Sequence, residues 1–247
     1  MAGHNKWSKI KRQKAATDAK KSKIWARITR DIMIAAREGG GDVDMNPRLS
    51  LAVDKAKDEN MPKDNIERAI KRGTGEIEGA DYEEMTYEGY ASGGIAIFVE
   101  CLTDNTNRTV ADVRHAFTKY GGNLGTSGSV AYLFDRKGRF EIDAEGQDED
   151  DLFLLVAEAG AEDLAREDGL FVVTTPMEEF AAVQDALEDA GIEPKEAYLI
   201  RIPTTTTSLA PDDAAKVLRL VDALEELQDV QEVYTSLEMD EALSISE

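Results

Sequence analysis

Eleven Lys and Arg residues stand in the first 37 positions, against two acids, Asp18 and Asp31. Lys6, Lys9, Lys11, Arg12 and Lys14 form a loose cluster around Trp7, and Lys20, Lys23, Arg27, Arg30 and Arg37 continue it downstream. A row of cations neutralises phosphates and releases their counterions, giving affinity that falls with salt and carries little sequence information. An indole in such a cluster either stacks on an unpaired base, worth about 1–3 kcal/mol, or packs on its own domain; Trp7 is open to both readings. At about 100° per residue from Lys20, the residues Ile24, Trp25, Ile28, Ile32, Ala35 and Ala36 share one stripe. Lys23, Arg27, Arg30 and Arg37 lie nearly opposite. One face is therefore expected to pack as core, Trp25 included, and the other to present cations. These eleven side chains, Trp7 in place of Lys21, are the candidate nucleic-acid-binding set.

A second candidate is the run Thr103-Asp104-Asn105-Thr106-Asn107-Arg108-Thr109, which enters a predicted helix. Free backbone N–H groups at a helix start attract anions, so Asn105, Asn107, Arg108 and Thr109 form a possible anion site. Plain capping by Asn107 or Thr109, with Asp104 as the local anion, is the competing reading. An enzyme would have to use this loop with His115 and Cys101, yet no paired catalytic carboxylates or nucleophile–base motif accompany them. No catalytic residue is therefore assigned. One cysteine and two histidines, His4 and His115, give no zinc spacing. Asp42-Val43-Asp44-Met45-Asn46 begins like a calcium loop, but Pro47 and Val53 stand where Gly and Glu are needed. No metal and no cofactor is expected. Gly121, Gly122, Gly125 and Gly128 follow a helix and precede a strand, the reverse of a dinucleotide loop, and suit turns or a bulge.

The elements that must position these residues change character along the chain. Residues 1–75 read as helical. A helix over Thr17 to Glu38 is stopped by Gly39-Gly40-Gly41; Asn46-Pro47 caps a second up to about Asn60; a third spans Lys63 to Arg72. Strands are expected at 85–90, 94–102 and 129–134 around a helix at 107–120. From 139 the order is β-α-β-β-α-β, the ferredoxin-like succession. A helix at 211–227 and a strand at 231–237 would complete the half-built sheet of 80–134. The expected class is α+β in three domains: an all-helical basic domain (1–79), a discontinuous middle domain (80–134 and 204–247), and an inserted ferredoxin-like domain (135–203), with both α+β domains ferredoxin-like.

The chain of 247 residues is 42% hydrophobic, enough for most of it to fold. A single cysteine points to a reducing compartment, and no apolar run approaches the roughly 20 residues of a membrane span. Neither a membrane nor a small-molecule substrate is indicated. The net charge of −21 argues by itself against nucleic acid, but its distribution does not. Residues 1–37 carry +9, residues 38–72 carry −1 and residues 73–247 carry −29. That asymmetry is the mark of a polyanion-binding arm joined to a solubilising body.

Ala2-Gly3-His4-Asn5-Lys6-Trp7 with Lys14-Ala15-Ala16 resembles the start of the YebC family. Val99 to Thr109, then Val113-Arg114, Gly121-Gly122-Asn123-Leu124-Gly125 and Gly128-Ser129-Val130 resemble its central signature. Asn5 departs from the serine expected there. The resemblance covers nearly the whole chain. It implies a helical first domain with two α+β domains, a cytoplasmic bacterial protein, and a role as a probable DNA-binding transcriptional regulator. It equally implies translation, since the mitochondrial relative is a translational activator of cytochrome c oxidase and bacterial relatives are implicated at ribosomes stalled on proline-rich stretches. No helix-turn-helix, zinc finger or zipper is visible, and cation rows suit structured RNA at least as well.

The expectation is thus a monomeric, non-enzymatic, cytoplasmic regulator that binds ribosomal RNA or DNA and acts as a ribosome-associated translation factor relieving stalling. The alternatives are a DNA-binding transcriptional regulator, an enzyme using the 103–109 loop, and a protein–protein adaptor using the acidic body.

Overall fold

The computed structural model describes residues 18–78 and 82–238, with side chains from Ile24 onward. The candidates Lys6, Trp7, Lys9, Lys11, Arg12 and Lys14 lie outside the described residues. Three helices open the described chain: α1 (Asp18–Gly39), α2 (Pro47–Asp58) and α3 (Lys63–Gly73). Asn46 starts α2 as its spacing predicts. Its Oδ1 accepts from the Leu49 amide, and its Nδ2 donates to the carbonyls of Ala35 and Gly40, tying the end of α1 to the start of α2. Ile28, Ile32, Leu49, Val53, Ala56, Ile66 and Ala69 form the core of this bundle. The Trp25 ring packs on that core, and its N–H donates to the Glu59 carbonyl.

The next sheet has the order β3-β1-β2-β8, with β1 (Glu83–Tyr90), β2 (Ala96–Thr103), β3 (Asn123–Leu124) and β8 (Val230–Thr235), all antiparallel. Helices α4 (Thr106–Lys119) and α7 (Pro211–Glu225) cover one face. Tyr87, Ile97, Val99 and Cys101 alternate inward from the strands and meet Val113, Phe117, Val217, Leu220 and Leu224. β8 follows the 134–204 segment in sequence and pairs with β2, so this sheet is built from two stretches of chain.

The strand expected at 129–134 is replaced by a short 3-10 turn, Ala131–Leu133. The reason is visible at Glu88. Its carboxylate accepts the backbone amides of Gly128, Val130 and Ala131, each at 2.7 Å, so these amides turn to a side chain rather than to a neighbouring strand.

Residues 134–204 form a compact unit of their own. It runs β4 (Phe134–Asp143), α5 (Glu149–Glu158), β5 (Asp163–Glu167), β6 (Leu170–Pro176), α6 (Phe180–Asp189), β7 (Glu196–Pro203), in sheet order β5-β6-β4-β7. That succession and order are the ferredoxin-like arrangement. β5 and β6 join at Asp168-Gly169, both with positive φ, as a tight two-residue hairpin requires. Phe140 stacks on Phe180 at 4.6 Å between ring centroids and anchors α6 to the sheet.

Candidate nucleic-acid interface

α1 carries the described part of the predicted cation row. Its inward stripe is buried as periodicity requires, but the opposite stripe is covered as well. Arg27 donates through Nη2 to the carbonyl of Glu225, the last residue of α7. Arg30 donates through Nη1 to the Gln228 carbonyl at 2.7 Å and lies 5.7 Å from the Tyr82 ring centroid. Arg30 is only 4% exposed. Arg27 therefore meets the carbonyl-rich end of α7, where cations are favoured, and Arg30 meets the turn that follows it. The expected solvent-facing row is interrupted here: Arg27 and Arg30 hold the helical bundle against the second layer of the fold. Lys20 and Lys23 are placed on α1, while the positions of their side chains fall outside the description.

A signal for this covering stands in the sequence. Ile34 projects at about 320° on the same wheel, inside the cation stripe, and it is 1% exposed. An isoleucine among arginines marks a face that expects a partner. Asp31 sits on the same side of α1 and its Oδ1 accepts from Gln231 Nε2 at 3.1 Å. Burial pushes its carboxyl up to about 6, partly offset by the Lys55 cation nearby.

Arg37 is exposed near the end of α1, and its guanidinium reaches the Tyr82 carbonyl. It shares an open groove of about 480 Å³ with Arg72, Tyr82, Met33 and Ile34. Arg68, Lys71 and Arg72 are exposed on α3 at positions i, i+3 and i+4, so they share one face. Reading the sequence for α1 alone passed over these three cations; a wheel of α3 would have found them.

The 103–109 segment turns out to hold an anion that belongs to the chain itself. Asn105 is the N-cap of α4, its Oδ1 accepting from the Arg108 amide. Asp229, in the turn between α7 and β8, is 4% exposed. Arg108 Nε and Nη2 lie 3.0 and 2.8 Å from Asp229 Oδ2, and the hydroxyls of Thr109 and Thr103 lie 2.9 and 3.1 Å from that oxygen. The predicted anion site thus receives an internal carboxylate, with Arg108 and Thr109 as ligands, Asn105 as the cap, and Asn107 exposed beside it. Residues Glu225 to Asp229 consequently receive three arginines: Arg27, Arg30 and Arg108.

The same carboxylate bears on Cys101. Burial, followed by the nearby Asp229 charge, pushes the thiol up to about 12. A buried thiol with that affinity for its proton supplies no nucleophile, and His115 is exposed on α4. Among the described residues, no helix is long and apolar enough to cross a membrane.

Comparison with known proteins places these features in a wider set. Residues 5–76 match the profile of the TACO1/YebC protein N-terminal domain, and residues 82–237 match that of the TACO1/YebC second and third domain. A probable transcriptional regulatory protein of Ralstonia nicotianae is 58% identical over 237 residues, covering 96% of this chain and 98% of the relative. One of Thermotoga petrophila, under the same description, is 54% identical over 243 residues, covering 98% and 95%. The crystal structure of a conserved hypothetical protein from Aquifex aeolicus superposes with a TM-score of 0.82 at 45% identity, covering 92% of this chain and 94% of that one.

Proposed function

The chain belongs to the TACO1/YebC family, and on that premise we propose that it is a non-enzymatic, nucleic-acid-binding regulator that acts at the ribosome. The observation that carries this reading is the segregation of charge, +9 over residues 1–37 against −29 over residues 73–247. Lys6, Lys9, Lys11, Arg12, Lys14, Lys20 and Lys23, with Arg37, form the grip on phosphate, and Trp7 is available to stack on an unpaired base. Arg68, Lys71 and Arg72, exposed on one face of α3 with Arg72 beside Arg37, add to these cations.

The enclosure of α1 favours RNA shape over base readout. A recognition helix must present side chains to base edges in the major groove. From Arg27 to Ala36, α1 is occupied on one side by α2 and α3 and on the other by the end of α7. The acidic remainder is repelled by bulk phosphate, so binding is limited to places where a specific surface accepts it. The protein works in the cytoplasm as a monomer, relieving stalled translation.

The test is sedimentation of lysate on a sucrose gradient at moderate salt. The protein should migrate with ribosomes after DNase treatment, and Lys20→Glu with Lys23→Glu should release it. Arg30→Met should lower stability while leaving the folded protein on the ribosome, because Arg30 faces the chain itself. A protein that stays at the top of the gradient, yet protects a defined promoter when purified, would establish instead a DNA-binding role in transcriptional regulation, the function named in the relatives' descriptions.

A further inference from the structure

Helix α5 of the 134–204 unit is apolar on two sides. Its sequence contains the run Leu152-Phe153-Leu154-Leu155-Val156. A helix lying on a sheet needs one apolar stripe. Leu152 and Val156 supply it and are buried at 2% and 1%. Phe153 and Leu154 project away from that stripe and are 51% and 60% exposed, with exposed Ala157 beside them. Helices apolar all round are normally enclosed all round, and adjacent exposed large apolar side chains mark a surface that receives a partner.

The charge around this face is of one sign. Between residues 144 and 194 there are sixteen acids and a single base, Arg166, which lies 4.0 Å from Glu149. The acids at the start of α5 have a local reason to be there, since Asp148 caps the helix and carboxylates suit its positive end. That reason extends to Glu178 and Glu179 at the start of α6, but not to Glu158 at the end of α5, nor to Asp185, Glu188 and Asp189 further along α6. Nucleic acid and anionic lipid are repelled by such a field, and so is a second copy presenting the same face. An apolar side chain set among cations complements it.

We propose that the outer face of α5, centred on Phe153 and Leu154, docks a basic amphipathic segment of a partner protein. Apolar residues of the segment cover Phe153 and Leu154, while its Lys and Arg side chains meet Asp150, Asp151 and Glu158. This surface belongs to the 134–204 unit and the cationic residues belong to the other, so the two units carry binding surfaces of opposite charge.

The experiment uses the full-length, isotope-labelled chain at about 150 mM salt, where charges more than roughly 8 Å apart are screened. The probes are a synthetic amphipathic helix of lysine and leucine and a lysine–serine peptide of equal charge. The lysine–leucine peptide should shift amide resonances of α5 and bind at least tenfold tighter than the lysine–serine peptide. Phe153→Ser with Leu154→Ser should remove that tenfold advantage, and Asp150→Lys with Glu158→Lys should weaken both peptides. Both pairs alter exposed side chains, and unchanged thermal unfolding would verify that the fold is retained. Equal affinity for the two peptides would overturn the proposal, leaving only a solvated acidic face. It would also be overturned by shifts mapping away from α5, by self-association that Phe153→Ser with Leu154→Ser abolishes, or by binding of anionic phospholipid vesicles at α5.

Discussion

Arg108 and Asp229, 121 residues apart in sequence, form a forked ion pair in which one guanidinium presents Nε and Nη2 to one nearly buried carboxylate. Thr103 and Thr109 add their hydroxyls to the same oxygen. The pair joins the start of α4 to the turn that leads into β8, and so ties two distant stretches of chain into one sheet.

Removing Arg108 leaves a buried carboxylate without its counter-charge. Such losses cost 3–5 kcal/mol for fully buried pairs, and Arg108 is more than a third exposed, so Arg108→Ala should cost about 2–3 kcal/mol. Asp229→Ala should cost a similar amount, since it strips two hydroxyls and a guanidinium of their acceptor. Urea unfolding of both variants and the double variant should give a coupling energy above about 1 kcal/mol. Additive losses would show that the two residues act independently.

Glu88 holds the loop after β3 by three backbone amides. Glu88→Gln keeps the volume but leaves only one side-chain oxygen as acceptor. The expected loss is about 1–3 kcal/mol for amides left without an acceptor. Hydrogen exchange at Gly128, Val130 and Ala131 should quicken more than exchange in α4. Unchanged protection of those three amides would contradict the role assigned to the carboxylate.

Asp31 makes the packing of α1 on β8 sensitive to pH. Its carboxyl is pushed from 3.8 up to about 6 by burial. Between those values the folded chain binds a proton that the unfolded chain releases. The contribution of Asp31 is therefore most favourable below about pH 4, declines as pH rises to 6 and stays low above it. Asp31→Asn carries no charge and keeps an oxygen for Gln231. It should match the wild type near pH 4 and exceed it by on the order of 1–2 kcal/mol above pH 6. A stability difference that does not change between pH 4 and 7 would show that the carboxyl titrates normally.

Local pattern determined much of this protein. The apolar period of α1, the Asn46-Pro47 start of α2 and the β-α-β-β-α-β run from β4 to β7 were legible, because each follows from contacts within a few residues or from one periodicity. The segregation of positive and negative charge was legible for the same reason. At the 103–109 segment pattern marked a helix start with a basic neighbour, while the carboxylate that meets Arg108 comes from Asp229.

What covers a face is a long-range property, and only the tertiary structure decided it. A helical wheel assigns Arg27 and Arg30 to one side of α1, but α7, which ends nearly two hundred residues later, turned that side into an internal contact. Asp229 supplied the anion of the 103–109 loop from 121 residues away. Glu88 took the amides that a strand at 129–134 would have used, and nothing within those residues announces it. Periodicity fixes which way a side chain points relative to its own backbone. Whether it then meets water, a carbonyl or a carboxylate depends on segments whose separation in sequence places them beyond any local signal.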